Sequence, residues 1–320
     1  MILKMTAKRL LSGFLVGASL LMANQVMAQE LIWQSQTISF KQTPKKLAVY
    51  ELSALDTLHS LGVPVTVVPA STFPSILSHY NQDVAIKAGT LFEPDTNVLQ
   101  QQQPDLIVLG GRSQAKADTV KGIAPVLNLS PDTDNFMPDL KARTQLFADL
   151  FGKQAVAAKR LQIIDTKQAK LKAQTQGKSA LMLFTNKGNF MPHAEGERFG
   201  YVYDFAGFKS VLPVVPPKDP NTPAAPRPEA GSAEAQAAKL KQDARLQAAV
   251  DAQPDYLIVL DRGAVNTNEY TALEELKKHP ILSQSKAKVI LVDANAWYLV
   301  GAGLGNTEAM LDELIAATQR

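Results

Sequence analysis

The chain has 320 residues, 46% of them hydrophobic and 20% charged, with a formal net charge of +3 and no cysteine. The length fits two domains or one large one. The lack of cysteine excludes disulfide staples and a lipid anchor, so the fold relies on its core, and the charge balance gives no sign of a nucleic-acid surface.

The first residues read as an export signal. Lys4, Lys8 and Arg9 form a positive start, Leu10 to Ala23 is mostly apolar, and Val26-Met27-Ala28 offers small residues at a cleavage site before Gln29. The apolar run is short for a hydrocarbon layer of ~30 Å. Residues 1–28 are therefore expected to be a cleaved signal peptide. Removing 28 of 320 residues leaves 292, and the three basic residues lost bring the mature chain close to neutrality. No later segment is apolar enough to span a membrane.

Short apolar runs then alternate with helical patterns. Leu47 to Tyr50 reads as a strand, Ser53 to Leu61 as a helix and Val63 to Val68 as a strand. Asp105 to Leu109 (strand), Gln114 to Lys121 (helix) and Val126 to Leu129 (strand) follow. Such alternation implies a mostly parallel sheet covered by helices. From Asp139 to about Ala173 nearly every residue is a good helix former, and Gly152 divides the stretch into two helices. The second, long and amphipathic, reads as a rigid connector. Strands resume at Ser179 to Thr185, Tyr256 to Leu260 and Lys288 to Val292. The predicted fold is α/β: an N-terminal lobe over 29–152, a connecting helix over 153–175 and a C-terminal lobe over 176–320, with a ligand cleft between the lobes. The proline-rich segment Pro213 to Pro228 is expected to be an extended surface loop.

An internal echo carries the most information. Gln103-Pro104-Asp105-Leu106-Ile107-Val108-Leu109 recurs as Gln253-Pro254-Asp255-Tyr256-Leu257-Ile258-Val259-Leu260, and Arg112 and Arg262 each stand eight residues past the proline. Ligands of open α/β sheets bind beyond the carboxyl ends of the strands. Two similar lobes would each place an arginine at that edge.

Four stretches then resemble a known family: LAVYELSALDTLHSLGVPV, AGTLFEPDTNVLQQQQPDLIVLGGR, GERFGYVYDFAGF, and PDYLIVLDR followed by VDANAWYLVGAGLGNTEAMLDEL. Together they are similar to the class III periplasmic binding proteins for ferric siderophores and vitamin B12, closest to the branch handling catecholate-type iron chelates. The resemblance implies two lobes joined by one long helix, little movement on binding, no enzymatic cofactor, and delivery of a ferric siderophore to an inner-membrane ABC permease. The protein is then expected to be a periplasmic monomer and not an enzyme. By that resemblance Arg112, Arg198 in its G-x-R-F-G setting, Arg262, Trp297 and Tyr298 contact the ligand, with Tyr50 beside them. Tyr298 or His193 could reach iron. A ferric tris-catecholate carries about three negative charges, which suits planar, permanently charged guanidinium groups.

Two departures from the family stand out. The histidine found in many relatives before the second PDY strand is missing from KLKQDARLQAAVDAQPDY. Asn97 and Gln247 occupy the places of the glutamates that dock on a permease, which leaves Glu93 as the expected docking residue. Other readings stay open: a receptor for haem, vitamin B12 or another metal chelate, and a periplasmic hydrolase using carboxylates. His59, His79, His193 and His279 show no metal-ligand spacing. The run Gly301-Ala302-Gly303-Leu304-Gly305 looks like part of a dinucleotide fingerprint, but it lacks room for a βαβ unit and reads as a turn into the last helix.

Overall fold

The computed structural model describes residues 29–216 and 228–319. The expected signal peptide and most of the proline-rich segment lie outside the described residues. A hairpin comes first, β1 (Gln29–Trp33) and β2 (Gln36–Phe40). The first sheet follows, built from β3 (Leu47–Val49), β4 (Val67–Val68), β5 (Ile86–Lys87), β6 (Leu106–Leu109) and β7 (Val126–Asn128). Its order is β5-β4-β3-β6-β7 and every pairing is parallel. Helices α1 (Leu52–Ser60), α2 (Thr96–Gln102) and α3 (Ala117–Val120) connect its strands.

Two expectations contract here. Only Val67 and Val68 of the run from Val63 pair as a strand. Pro64 has no N–H to give a ladder, although Val63 and Val65 remain buried. The helix expected at Gln114–Lys121 opens as a 3₁₀ turn and becomes α-helical only at Ala117.

Helix α4 (Phe136–Phe151) ends where Gly152 turns left-handed at φ 65°, a conformation that costs glycine little. Helix α5 (Gln154–Thr175) is the connector. Its buried residues are Ala157, Ile164, Leu171 and Thr175, the first three spaced by seven. That spacing keeps them on one narrow stripe. Half-buried Arg160, Leu161, Lys167, Gln168 and Lys172 flank that stripe, so one face of the helix is covered and the other is exposed.

The second lobe holds β8 (Ser179–Asn186), β9 (Asn189–His193), α6 (Tyr201–Ala206), β10 (Lys209–Ser210), α7 (Ala233–Asp251), β11 (Tyr256–Asp261), α8 (Ala272–Lys278), β12 (Lys288–Val292) and α9 (Leu304–Thr318). The order β10-β8-β11-β12 is parallel, with β9 antiparallel on β8. Strands β6 and β11 thus sit in equivalent places, each between the lobe's first long strand and its last. The echo extends to the backbone. Gln103 and Gln253 both adopt φ 50°, an unusual value for a residue with a Cβ. Asp105 Oδ2 accepts the Lys45 and Lys46 N–H groups at 2.8 and 2.9 Å, and Asp255 Oδ2 accepts the Ser179 N–H at 2.9 Å. Each aspartate ties its strand to the start of the neighbouring one.

One hydrophobic core crosses the lobe boundary, running from Leu31 and Leu55 through Ile164 to Val292 and Leu314. Smaller clusters cover the outer face of each sheet. Helix α9 of the second lobe packs on α1 of the first and on α5. Its N-cap residue is Gly303, which has no side chain to satisfy the first N–H groups. The first lobe supplies the cap instead. Asp56 Oδ2 accepts the Asn306 N–H at 2.9 Å and Thr57 Oγ1 accepts the Leu304 N–H at 3.2 Å. A Cβ on Gly303 or Gly305 would collide with Asp56. The glycine run therefore serves a close helix-to-carboxylate approach. Burial raises the Asp56 carboxyl to about 6, against the Asn306 and Gly305 N–H groups and Arg160, which pull it down. Beside it Arg143, fully buried, donates to Asp139 Oδ2 (2.7 Å), Ser53 Oγ (3.2 Å) and the Ala302 carbonyl (2.7 Å).

Candidate ligand cleft

A cleft of about 390 Å³ opens between the lobes. The first lobe contributes Gly111 and Arg112 beyond β6, Ser130, Pro131 and Thr133 beyond β7, and Phe136 at the start of α4. The second contributes Arg198, Phe199, Tyr201 and the segment from Trp297 to Ala302. That segment begins as a π-helical turn, Ala296–Val300, a rare geometry that recurs at functional sites.

The turn is held from both sides. Asn306 Nδ2 donates to the Ala296 and Gly301 carbonyls at 2.9 and 2.7 Å, spanning its two ends. Glu313 accepts from Trp297 Nε1 and from the Asp293 N–H, both at 2.7 Å. Arg112 reaches over from the first lobe to the Tyr298 and Leu299 carbonyls, at 2.8 and 3.3 Å. The backbone that carries Tyr298 is therefore held in place.

Three guanidinium groups surround that ring. Their central carbons lie 5.8 Å (Arg112), 4.9 Å (Arg198) and 4.6 Å (Arg262) from the Tyr298 centroid. Burial raises the Tyr298 hydroxyl, but Arg262 and Arg198 outweigh it and hold the group below the usual phenol value. Arg198 also lies 4.9 Å from the Phe199 ring. Phe184 continues this aromatic file, 5.2 Å from Phe199 and 6.0 Å from Tyr298. A second file runs Phe136, Tyr201, Trp297, with centroids 4.5 and 6.0 Å apart. The cleft thus offers cations above aromatic faces, an arrangement suited to a flat, aromatic, anionic ligand.

Of the residues expected from sequence, Arg112, Arg198, Trp297 and Tyr298 line the cleft. Arg262 meets them at the Tyr298 ring without being one of the lining residues. Trp297 shows only its edge, being 2% exposed. Tyr50 is misplaced by the expectation. It is 2% exposed, lies on the outer face of the sheet with Ala48, and donates its hydroxyl to the Ala88 carbonyl at 2.6 Å. The next residue, Glu51, reaches the cleft instead, because side chains alternate along extended chain. His193 is also elsewhere. It lines a separate pocket with Glu197 and Arg245 and stacks edge-on against Phe199. Burial pushes its imidazole down to about 4 despite Glu197, with Arg245 and Arg198 adding to the shift. Glu93 is a surface residue paired with Lys116 at 2.6 Å. Among the described residues no group of three or more His, Asp or Glu side chains is placed to hold a metal ion, and no helix among them is long and apolar enough to cross a membrane.

Residues 47–289 match the family model for "Periplasmic binding protein". The chain belongs to the periplasmic binding protein family. The petrobactin-binding protein YclQ of Bacillus subtilis is 28% identical over 280 residues, spanning 85% of this chain and 82% of that protein. The ferric-anguibactin-binding protein FatB of Vibrio anguillarum is 26% identical over 287 residues, spanning 86% and 83%. In structure the chain is similar to YclQ at a TM-score of 0.76 and 25% identity, over 92% of this chain and 99% of the other. A TroA-like periplasmic binding protein from Xylanimonas cellulosilytica gives 0.74 and 26%, over 90% and 94%. The family's two lobes and connecting helix are the architecture found here.

Glu51, Phe136, Phe199 and Tyr201 also line the cleft, and Asn306 and Glu313 support it, none of them expected from the sequence. Glu51 caps α1 and accepts the Ser53 N–H at 3.2 Å, and Gly110 has no room for a side chain beside it. Tyr201 carries a buried hydroxyl without a partner among the described residues, and burial drives it far above the usual value.

Proposed function

We propose that this protein captures a ferric siderophore, of catecholate type, in the periplasm and delivers it to an ABC permease, without turnover and as a monomer. The observation that carries the reading is the ring of three guanidinium groups, 4.6 to 5.8 Å from one tyrosine ring at the lobe boundary. Charge-assisted hydrogen bonds of this kind are worth about 1.5–3 kcal/mol each. Supporting it, YclQ and FatB, the relatives matched over most of their length, bind petrobactin and ferric anguibactin. The continuous core across the lobes supports a preformed cleft, which saves the ordering cost of closing one.

His193 lies off the cleft, which leaves Tyr298 as the one expected iron-reaching side chain beside it. Hexadentate chelates, which saturate iron themselves, are therefore favoured over tetradentate ones. Permease docking on the first lobe falls to exposed Glu93, whose surface pair with Lys116 costs little to exchange.

The test is tryptophan fluorescence titrated with a panel of ferric chelates, alongside thermal melts. Trp297 at the cleft edge should be quenched by an anionic tris-catecholate, and ligand should raise the Tm through binding to the folded state only. If no iron chelate changes either signal, the receptor reading fails. Release of a hydrolysed product would replace it with the enzyme reading.

A further inference from the structure

Arg198 is the most exposed of the cleft arginines, and no backbone carbonyl of the described residues holds its guanidinium. Its direction is set by the loop from Ala194 to Gly200. That loop is tight. The Glu197 N–H donates to the Ala194 carbonyl at 3.1 Å, and the Gly200 N–H to the Glu197 carbonyl at 2.7 Å. The Val215 N–H donates to the Glu195 carbonyl at 2.8 Å. Gly196 sits at φ 81°, and a Cβ there would run into the Val215 carbonyl, as one on Gly200 would into that of Ala194.

The loop carries two carboxylates, Glu195 and Glu197; the one next to Arg198 in sequence, Glu197, is turned away from the cleft into the neighbouring pocket. Arg245 of α7 grips it through two parallel bonds, Nη1 to Oε1 at 2.9 Å and Nη2 to Oε2 at 2.6 Å. The Ala194 N–H adds a third at 2.7 Å. Three donors outweigh the cost of burial and hold Glu197 below the usual carboxylate range. Helix α7 is anchored in turn, because Gln242 donates to the Phe190 carbonyl of β9 at 2.8 Å. The fork is geometrically selective, since a guanidinium matches both carboxylate oxygens at once.

We propose that Glu197 and Arg245 form a positioning pair that presents Arg198 to the chelate and keeps the Glu197 carboxylate from neutralising it, so that the pair sets the preference for anionic over neutral ligands. Without Arg245, the carboxylate is one residue from a guanidinium that should be free for the ligand, and Arg198 is its nearest replacement partner in sequence. Glu197 would then act as a competing anion inside the site. This inference rests on the siderophore reading and adds a source of charge selectivity to it.

The distinguishing feature is the sign of a double-mutant cycle. Wild type, R245A, E197Q and E197Q/R245A are titrated with an anionic Fe(III) tris-catecholate and a neutral Fe(III) tris-hydroxamate. R245A should weaken the tris-catecholate roughly tenfold, the scale of one charge-assisted contact. E197Q/R245A should recover most of that loss, and the tris-hydroxamate should change less than about twofold. A purely structural support would make the double variant no better than R245A, and that result overturns the proposal, as does wild-type affinity in R245A. Where R245A melts too low to titrate, R245K keeps the charge and loses the fork. It should bind the tris-catecholate a few-fold more weakly, and wild-type affinity there overturns the positioning role. Wild type that binds neither probe overturns the receptor reading and this inference together. Wild type that binds while R245A is unchanged overturns only the pair.

Discussion

Arg143, Arg112, Arg198 and Arg262 lie along the lobe boundary, in two regions with different lives. In the seam, Arg143 spends its guanidinium on Asp139, Ser53 and the Ala302 carbonyl, and none of it meets water. At the cleft, Arg198 and Arg262 rest their guanidinium groups against the Tyr298 ring. Arg112 belongs to both, since it faces the ring yet gives two bonds to the Tyr298 and Leu299 carbonyls. The same side chain is a structural tie or a binding group according to how many protein acceptors it meets. A cation with its donors already used has little left for a ligand.

The sharpest way to break this division is to truncate the tie. Arg143→Ala leaves Asp139 buried with its main partner gone, a class of change that costs about 3–5 kcal/mol. Urea unfolding should show that loss, and a shift below about 1 kcal/mol would mean that water replaces the arginine. Arg262→Ala should do the opposite. Its chelate affinity should fall roughly 10- to 100-fold while its Tm stays near the wild-type value, and Arg262→Lys should restore only part because the fork is lost. An equal loss of Tm would place Arg262 with the ties.

Arg112→Ala tests the mixed case. It should lose about 1 kcal/mol of stability from the two carbonyl bonds and less affinity than Arg262→Ala, because those bonds already take two of its five N–H donors. A larger affinity loss than at Arg262 would show that ligand displaces the carbonyls.

A separate test of the seam is pH dependence. The Asp56 carboxyl is raised to about 6 in the fold, above the value of about 3.9 for a free aspartate. Its contribution to stability is full below pH ~4 and is lost as pH rises through about 6. His193 runs the other way. Lowered to about 4 from about 6.5, it contributes fully above pH ~6.5 and loses that as pH falls toward 4. The two offset each other in the wild type. Asp56→Asn removes one side, so the variant should lose stability on acidification from pH 6 to 4 more steeply than the wild type. Parallel pH profiles would reject the offset.

Much of the fold was legible because it is written locally. The repeated Gln-Pro-Asp followed by a buried run gave two equivalent strands, and Gly152 gave the break between α4 and α5. The cleft was harder. Tyr50 and Glu51 differ by one place, and only the alternation of β3 decides which faces the ligand: Ala48 and Tyr50 share the outer cluster, while Leu47 and Val49 belong to the central core. Phe136, Tyr201 and Trp297 stack together from three separated segments, and no spacing within any one of them records that meeting. Asn306 lies in the first turn of α9. Its role depends on a π-helical turn, which has no sequence signature comparable to an α-helix period.

The cap that Asp56 places on Asn306 joins residues 250 apart in the chain. At synthesis rates of about 5–20 residues per second, α1 waits on the order of tens of seconds for α9 to exist. During that wait α1 can pack on β3 and α4, but the part of its face that meets α9 stays uncovered. The α1–α9 seam is thus the last part of the shared core that synthesis makes available.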